Sequence, residues 1–202
     1  MIAIIDYGLG NLSSVHAAVK RLGFETRVTN ELKCLEDSAK LILPGVGAFG
    51  DGMNNLKSLG LIEPLNRIVI GQRKPILGIC LGAQLFARES FEFGRHQGLG
   101  WVAATVERLP DEGLRVPHVG WNDLFQVKQS MLFEGIADDA LFYYVHSYYL
   151  KTDDPGIVKG ECEYGIRFSS VIQQDNIFAT QFHPEKSQLA GLKLLENFLK
   201  GP

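Results

Sequence analysis

The sequence predicts an α/β protein built on a mostly parallel sheet with helices on both faces. Three observations carry that expectation. Short, wholly apolar runs alternate with helix-compatible stretches as far as Arg88, the pattern of strands buried on both faces. A cysteine flanked by glycines, Gly78-Ile79-Cys80-Leu81-Gly82, sits where a strand pattern gives way to a helix pattern. Beyond residue 100 the pattern changes to short strands joined by short turns, which predicts a mixed or antiparallel extension of the same sheet.

Taken in order, Ile2 to Ile5 is the first strand, and Asn11 or Ser13 can cap a helix that Gly23 stops near Leu22. Phe24 to Val28 and Lys40 to Leu43 are the next strands, the latter halted by Pro44-Gly45. Helical stretches follow over Asp51 to Leu59 and Leu61 to Gln72, then a strand Pro75 to Ile79 that feeds a helix through Arg88. Trp101 to Leu109, Leu141 to Leu150, Ile157 to Glu163, Phe168 to Gln173 and Ile177 to Gln181 read as strands. Leu189, Leu192, Leu195, Phe198 and Leu199 recur at helical spacing and close the chain with an amphipathic helix. With no repeat or linker, residues 1–202 read as a single domain.

Composition narrows the function. At 202 residues and 46% hydrophobic, the chain should bury roughly 70% of its unfolded surface. A net charge of −3 with scattered Lys and Arg gives no electrostatic support for nucleic acid or an acidic membrane. Met1 to Asp6 reads as a strand rather than a signal peptide, and no apolar run approaches the ~20 residues that span a bilayer. Cys34, Cys80 and Cys162 are odd in number and widely spaced, which argues for reduced thiols in a cytoplasmic protein. His16, His96 and His118 do not make a metal-ligand set, so no metal and no cofactor are expected; Cys34 and Cys162 read as bystanders.

The chemistry is expected at three strand ends. Glycines two residues either side of Cys80 suit a sharp strand-to-helix turn that lifts the sulfur out of the sheet. A helix starting there would favour the thiolate, the reactive form. Most lone cysteines in such cores are inert, and it is the paired glycines that argue otherwise. A thiol nucleophile needs a base and a group that orients the base. His183-Pro184-Glu185 follows the last strand, so His183 can meet Cys80, and Glu185 can hold the imidazole through a Pro-enforced extended turn. Pro44-Gly45-Val46-Gly47-Ala48-Phe49-Gly50 has N–H groups to pair with that of Leu81 as an oxyanion hole. It lacks the residues of a phosphate-binding loop.

Together, the PGVG loop, GICLGAQ and HPE resemble the three catalytic segments of the class I, or triad, glutamine amidotransferases over nearly the whole chain. The resemblance implies a flavodoxin-like central sheet and a glutaminase in which Cys80 attacks the glutamine amide, His183 is base then acid, and Glu185 orients His183. It also implies that Val46 and Gly47 join Leu81 in the oxyanion hole. Gly45, Gly47, Gln84 and backbone groups at Ser147 and Tyr148 would bind glutamine, and the Gly45-Val46-Gly47 peptide would reorient when a partner is engaged. DYGLGNL (from Asp6), PHVGWN (from Pro117) and YVHSYY (from Tyr144) are similar to one branch of that family, in which the glutaminase serves a (β/α)8-barrel cyclase subunit. On that likeness Asn11, Trp121, Tyr143 and Lys186 face the barrel and guard the ammonia passage; by residue type alone, Trp121 suits core packing and Lys186 a solvated helix start. Competing readings are a glutaminase subunit for pyridoxal phosphate, anthranilate or aminodeoxychorismate synthesis, a flavodoxin-like redox or binding module, and a cysteine peptidase.

Overall fold

The computed structural model describes residues 1–111 and 113–201. The first half runs β1 (Ile2–Ile5), α1 (Leu12–Arg21), β2 (Thr26–Thr29), α2 (Leu32–Asp37), β3 (Lys40–Gly45), α3 (Phe49–Ser58), α4 (Ile62–Leu65), a π-helical turn (Asn66–Gly71), β4 (Ile76–Cys80) and α5 (Leu81–Gln84). The second half runs β5 (Glu89–Ser90), β6 (His96–Gln97), β7 (Ala104–Arg108), β8 (His118–Asp123), β9 (Phe125–Gln126), β10 (Leu141–His146), β11 (Tyr148–Thr152), β12 (Val158–Tyr164), β13 (Ile166–Gln174), β14 (Ile177–Thr180) and α6 (Gln188–Lys200).

The main sheet has the order β2-β1-β3-β4-β14-β13-β11-β7-β5-β6. Its first five strands are parallel, and β1, β3, β4 and β14 are buried at every residue. From β14 onward the pairings β14–β13, β13–β11 and β11–β7 are antiparallel, as the change of pattern beyond residue 100 predicts. One apolar cluster packs α3, α4 and α5 on one face; the other packs α1 and α6, with Phe178, Phe182 and Phe198, on the opposite face. Among the described residues, no helix is long and apolar enough to cross a membrane.

Three local expectations need correction. The strand at Lys40 is not halted at Leu43 but runs through Pro44-Gly45, which pair with Ile79 and Cys80 on β4. Its pairing with β1 ends at Ile42, so Pro44 needs no N–H on that side. The helix after Cys80 is one turn, Leu81–Gln84, rather than continuous to Arg88. Leu141 to Leu150 is not one strand: it breaks at Ser147 because its halves pair elsewhere, β10 with β8 in a separate antiparallel ribbon and β11 with β7 and β13 in the main sheet. The β8 strand, which overlaps the PHVGWN segment, carries no strand pattern in the sequence.

Candidate active site

The register of the parallel strands explains how the site assembles. Gly45 on β3 lies beside Cys80 on β4, and Ile79 lies beside Thr180 on β14. The three carboxyl ends therefore deliver the Gly loop, the cysteine and the HPE turn to one point. Cys80 has φ 54°, ψ −113°, a conformation few side-chain-bearing residues adopt. The flanking glycines make that elbow possible. A Cβ on Gly82 would lie 1.8 Å from the Leu43 carbonyl oxygen, and one on Gly78 would lie 2.6 Å from Ala83. Only one turn of helix stands behind Cys80, so little of a macrodipole is available to the sulfur. The charged neighbours of the thiol have to come from elsewhere.

They come from the last strand end. Pro184–Lys186 forms a 3-10 turn, not the extended turn expected, and it brings Glu185 Oε1 to 2.8 Å from His183 Nδ1. Both side chains are buried, at 2% and 1% exposure. The turn is pinned to β10: the His183 N–H donates to the Tyr143 carbonyl (3.0 Å), and Ser187 Oγ donates to the His183 carbonyl (2.6 Å) while accepting from the Tyr143 N–H (3.0 Å). The second ring nitrogen, Nε2, is buried and has no hydrogen-bond partner among the described residues. Burial by itself would push His183 down; the Cys80 sulfur and the Glu185 carboxylate outweigh it and raise the imidazole to about 10.

A cleft of ≈ 280 Å³ opens above Cys80, lined also by Val46, Gly47, Leu81, Gln84, Glu92 and the Val145–Tyr148 segment. Gly47 needs its glycine conformation (φ +105°). Gly45 needs its small size instead, since a Cβ there would meet the Tyr7 hydroxyl at 2.4 Å. Gln84 is not free to roam: its Nε2 donates to the Tyr148 carbonyl (2.7 Å) and to Gln181 Oε1 (3.1 Å). The Ser147 carbonyl likewise accepts the Leu109 N–H (2.9 Å), so neither carbonyl is idle.

Of the residues expected at a partner surface, Trp121 stacks edge-on with Tyr143 (5.9 Å) and is 44% exposed. Lys186 Nζ lies 5.8 Å from the Tyr143 ring centre. Asn11 precedes α1, which packs on the Pro184–Lys186 turn, but its side chain makes no cap bond. Three residues escaped the reading of the sequence. Glu92 brings a carboxylate into the cleft, its value raised by burial, with Oε2 accepting the Phe49 N–H at 2.7 Å. Gln181 points its Nε2 at Cys80 Sγ (3.8 Å). The Tyr7 hydroxyl is buried near Cys80 without a partner among the described residues. Only Gln181 had a usable signal, its place two residues before His183. Among the described residues, no group of three or more His, Cys, Asp or Glu side chains could hold a metal ion.

A nucleophile elbow with its buried His–Glu pair on a half-parallel sheet defines the class of protein. The family model for glutamine amidotransferase class-I matches residues 3–201. Solved structures of a glutamine amidotransferase (TM-score 0.77, 22% identity, 99% of this chain and 98% of that one) and of PurLQS from Thermotoga maritima (0.76, 17%, 98% and 96%) share the fold. This chain belongs to the class-I glutamine amidotransferase family. Within it, the chain is 49% identical to imidazole glycerol phosphate synthase subunit HisH 1 of Campylobacter jejuni (strain RM1221), over 99% of this chain and 100% of that one. It is 48% identical to subunit HisH of Geobacter sulfurreducens, over 98% and 97%.

Proposed function

We propose that this chain is the cytoplasmic glutaminase subunit of an imidazole glycerol phosphate synthase and works with a HisF-type (β/α)8 barrel. The observation that carries the reading is Cys80 in the lining of a cleft sized for an amino acid, with the buried His183–Glu185 pair at the neighbouring strand end. Cys80 Sγ, as thiolate, attacks the side-chain amide carbon of glutamine. The N–H groups of Leu81 and of the Val46–Gly47 segment receive the developing oxyanion. The C–N bond breaks as His183 gives its Nε2 proton to the leaving ammonia, and a glutamyl thioester remains on Cys80. Water then attacks the thioester, His183 takes its proton, and glutamate leaves with the thiolate restored. Glu185 holds the imidazole tautomer and balances the imidazolium charge.

Among the described residues Glu92 is the one carboxylate in the cleft lining and suits the α-ammonium of glutamine; Gln84 and the Ser147–Tyr148 backbone shape the pocket around it, with Gly45 beside Cys80. The ammonia passes to the barrel, whose own cyclase and lyase chemistry makes imidazole glycerol phosphate and AICAR from PRFAR in histidine biosynthesis. The docking face is the side of the β8–β10 ribbon that carries Trp121 and Tyr143, with Lys186 and Asn11 beside it. Val119, Trp121 and Leu141 leave an apolar stripe exposed there at 56%, 44% and 47%. Exposed aromatic and apolar side chains of this kind become the buried anchors that dominate protein interfaces once a partner docks.

The test is glutamate release from glutamine by the purified chain, alone and with a HisF barrel and its nucleotide substrate. Release that rises on adding both supports the reading, whereas release indifferent to the barrel assigns the chain to another synthase. Cys80→Ala is expected to abolish release while leaving the fold intact, and mass spectrometry of the unsubstituted chain quenched in turnover should find the glutamyl adduct on Cys80. Residual release by that variant would remove Cys80 from its role.

A further inference from the structure

The glutaminase reading leaves one buried polar assembly without a task. His118 opens β8 and His146 closes β10, and the ribbon register sets them opposite each other. Their rings are joined by His118 Nδ1 and His146 Nε2 at 3.0 Å. His146 Nδ1 lies 2.9 Å from the Tyr148 carbonyl oxygen, the atom that Gln84 also holds. At the other end, Asn122 Nδ2 lies 3.3 Å from His118 Nε2 and 3.0 Å from the Glu163 carbonyl oxygen.

The chemistry of these atoms permits only one direction of donation. A carbonyl oxygen cannot donate, so His146 Nδ1 carries the proton. In a neutral ring its Nε2 then accepts, and His118 Nδ1 must be the donor. His118 Nε2 is left to accept, which the Asn122 amide nitrogen satisfies. Both rings are buried, at 3% and 6% exposure, and among the described residues no carboxylate bonds to either. Burial pushes them down to about 4 and about 3, so both are neutral at neutral pH. Tyr144 and Tyr164 stack on His118 at 4.9 and 4.0 Å between ring centres, which fixes its plane.

We infer that His146, backed by His118 and Asn122, is a positioning residue for glutamine: the relay Asn122→His118→His146→Tyr148 fixes the peptide that forms the cleft wall facing Cys80. The inference rests on the glutaminase reading above. Ser147, where β10 passes from the ribbon to the sheet, belongs to neither strand; β7 holds this turn from one side, through the Leu109 N–H on the Ser147 carbonyl and the pairing of Tyr148 with Arg108. The Tyr148 carbonyl, clamped by one donor from α5 and one from the ribbon, adds a second hold. The Gln84 amide carries the same network on to Gln181 and Cys80.

The test is steady-state glutamate release by the full chain with its barrel subunit, with KM for glutamine and kcat followed separately. His146→Leu should raise KM roughly tenfold, the size of one lost buried hydrogen bond, with a smaller change in kcat. His146→Asn places an amide N–H where Nδ1 was and should return KM to within about threefold of the unsubstituted chain. His118→Phe and Asn122→Ala should raise KM in that descending order, following the relay outward. An NMR measurement on the unsubstituted chain checks the direction independently of any variant's folding: both rings should be neutral Nδ1–H tautomers, the minor form of free imidazole. Folded His146→Leu with unchanged KM, or an Nε2–H tautomer on either ring, overturns the relay while glutaminase activity stands. An unsubstituted chain that releases no glutamate overturns the glutaminase reading itself.

Discussion

His183 and the pair His118–His146 are equally buried, yet their protonation is driven in opposite directions. His183 has a carboxylate on one nitrogen and the Cys80 sulfur beside the ring, and it is raised to about 10. His118 and His146 have only a neutral amide, a carbonyl and each other, and they fall to about 4 and about 3. Burial penalises every imidazolium, so the partners decide the charge state. One site keeps a proton ready for transfer to a leaving group. The other keeps its rings uncharged and its hydrogen bonds directional, as a positioning device requires.

Replacing the carboxylate should collapse this contrast, and it carries the largest expected effect. Glu185→Gln keeps the shape of the turn but removes the charge that offsets burial, so His183 should move toward the behaviour of His118. On the pattern of other triads, kcat should fall by roughly 10³- to 10⁴-fold, with little change in the folded structure. Measured kcat within a few-fold of the unsubstituted chain would mean that the Cys80 sulfur alone sets His183.

Stability against pH reads the two sites in separate windows. Below about 6.5 the unfolded chain protonates His118 and His146 while the folded chain refuses the protons, so stability should fall as pH drops from about 6.5 toward about 4. The loss is on the order of 3 kcal/mol per ring. His183 acts with the opposite sign. Its contribution is full below about 6.5 and is lost as pH rises toward about 10. Urea midpoints across pH 4 to 10 should therefore show two limbs. His118→Phe should shallow the acid limb and leave the alkaline one in place, and a variant that shallows both would show that the sites are coupled.

The two sites also differ in how far they could be read from sequence. The Cys80 elbow was legible because its cause is local: glycines two residues either side of a cysteine at the end of an apolar strand. His183 and Glu185 are neighbours in sequence and follow a strand whose direction was already clear. The relay had no such signature. His118 and His146 meet only because β8 and β10 form a ribbon apart from the main sheet, and β8 carries too few consecutive apolar residues to announce itself as a strand. Glu92 reaches the cleft by packing on the start of α3, a contact that no pattern within its own segment encodes. The short helix after Cys80 and the break at Ser147 share this cause, since tertiary pairing overrode local periodicity.

The smallest expected effect sharpens the comparison with a third buried group. Tyr7 is wholly buried, its hydroxyl has no hydrogen-bond partner among the described residues, and burial and the nearby Cys80 hold it protonated far above neutrality. It has neither the charged partners of His183 nor the neutral ones of His146. An unsatisfied buried hydroxyl costs about 1–3 kcal/mol, so Tyr7→Phe should add about 1 kcal/mol of stability once repacking is allowed for, read as a higher thermal midpoint. A hydroxyl that serves only as packing against Gly45 will give that gain with glutamate release unchanged. A gain in stability bought with a fall in kcat would instead place the Tyr7 hydroxyl among the groups that set the Gly45–Gly47 loop during turnover, where its missing partner is supplied only as the reaction proceeds.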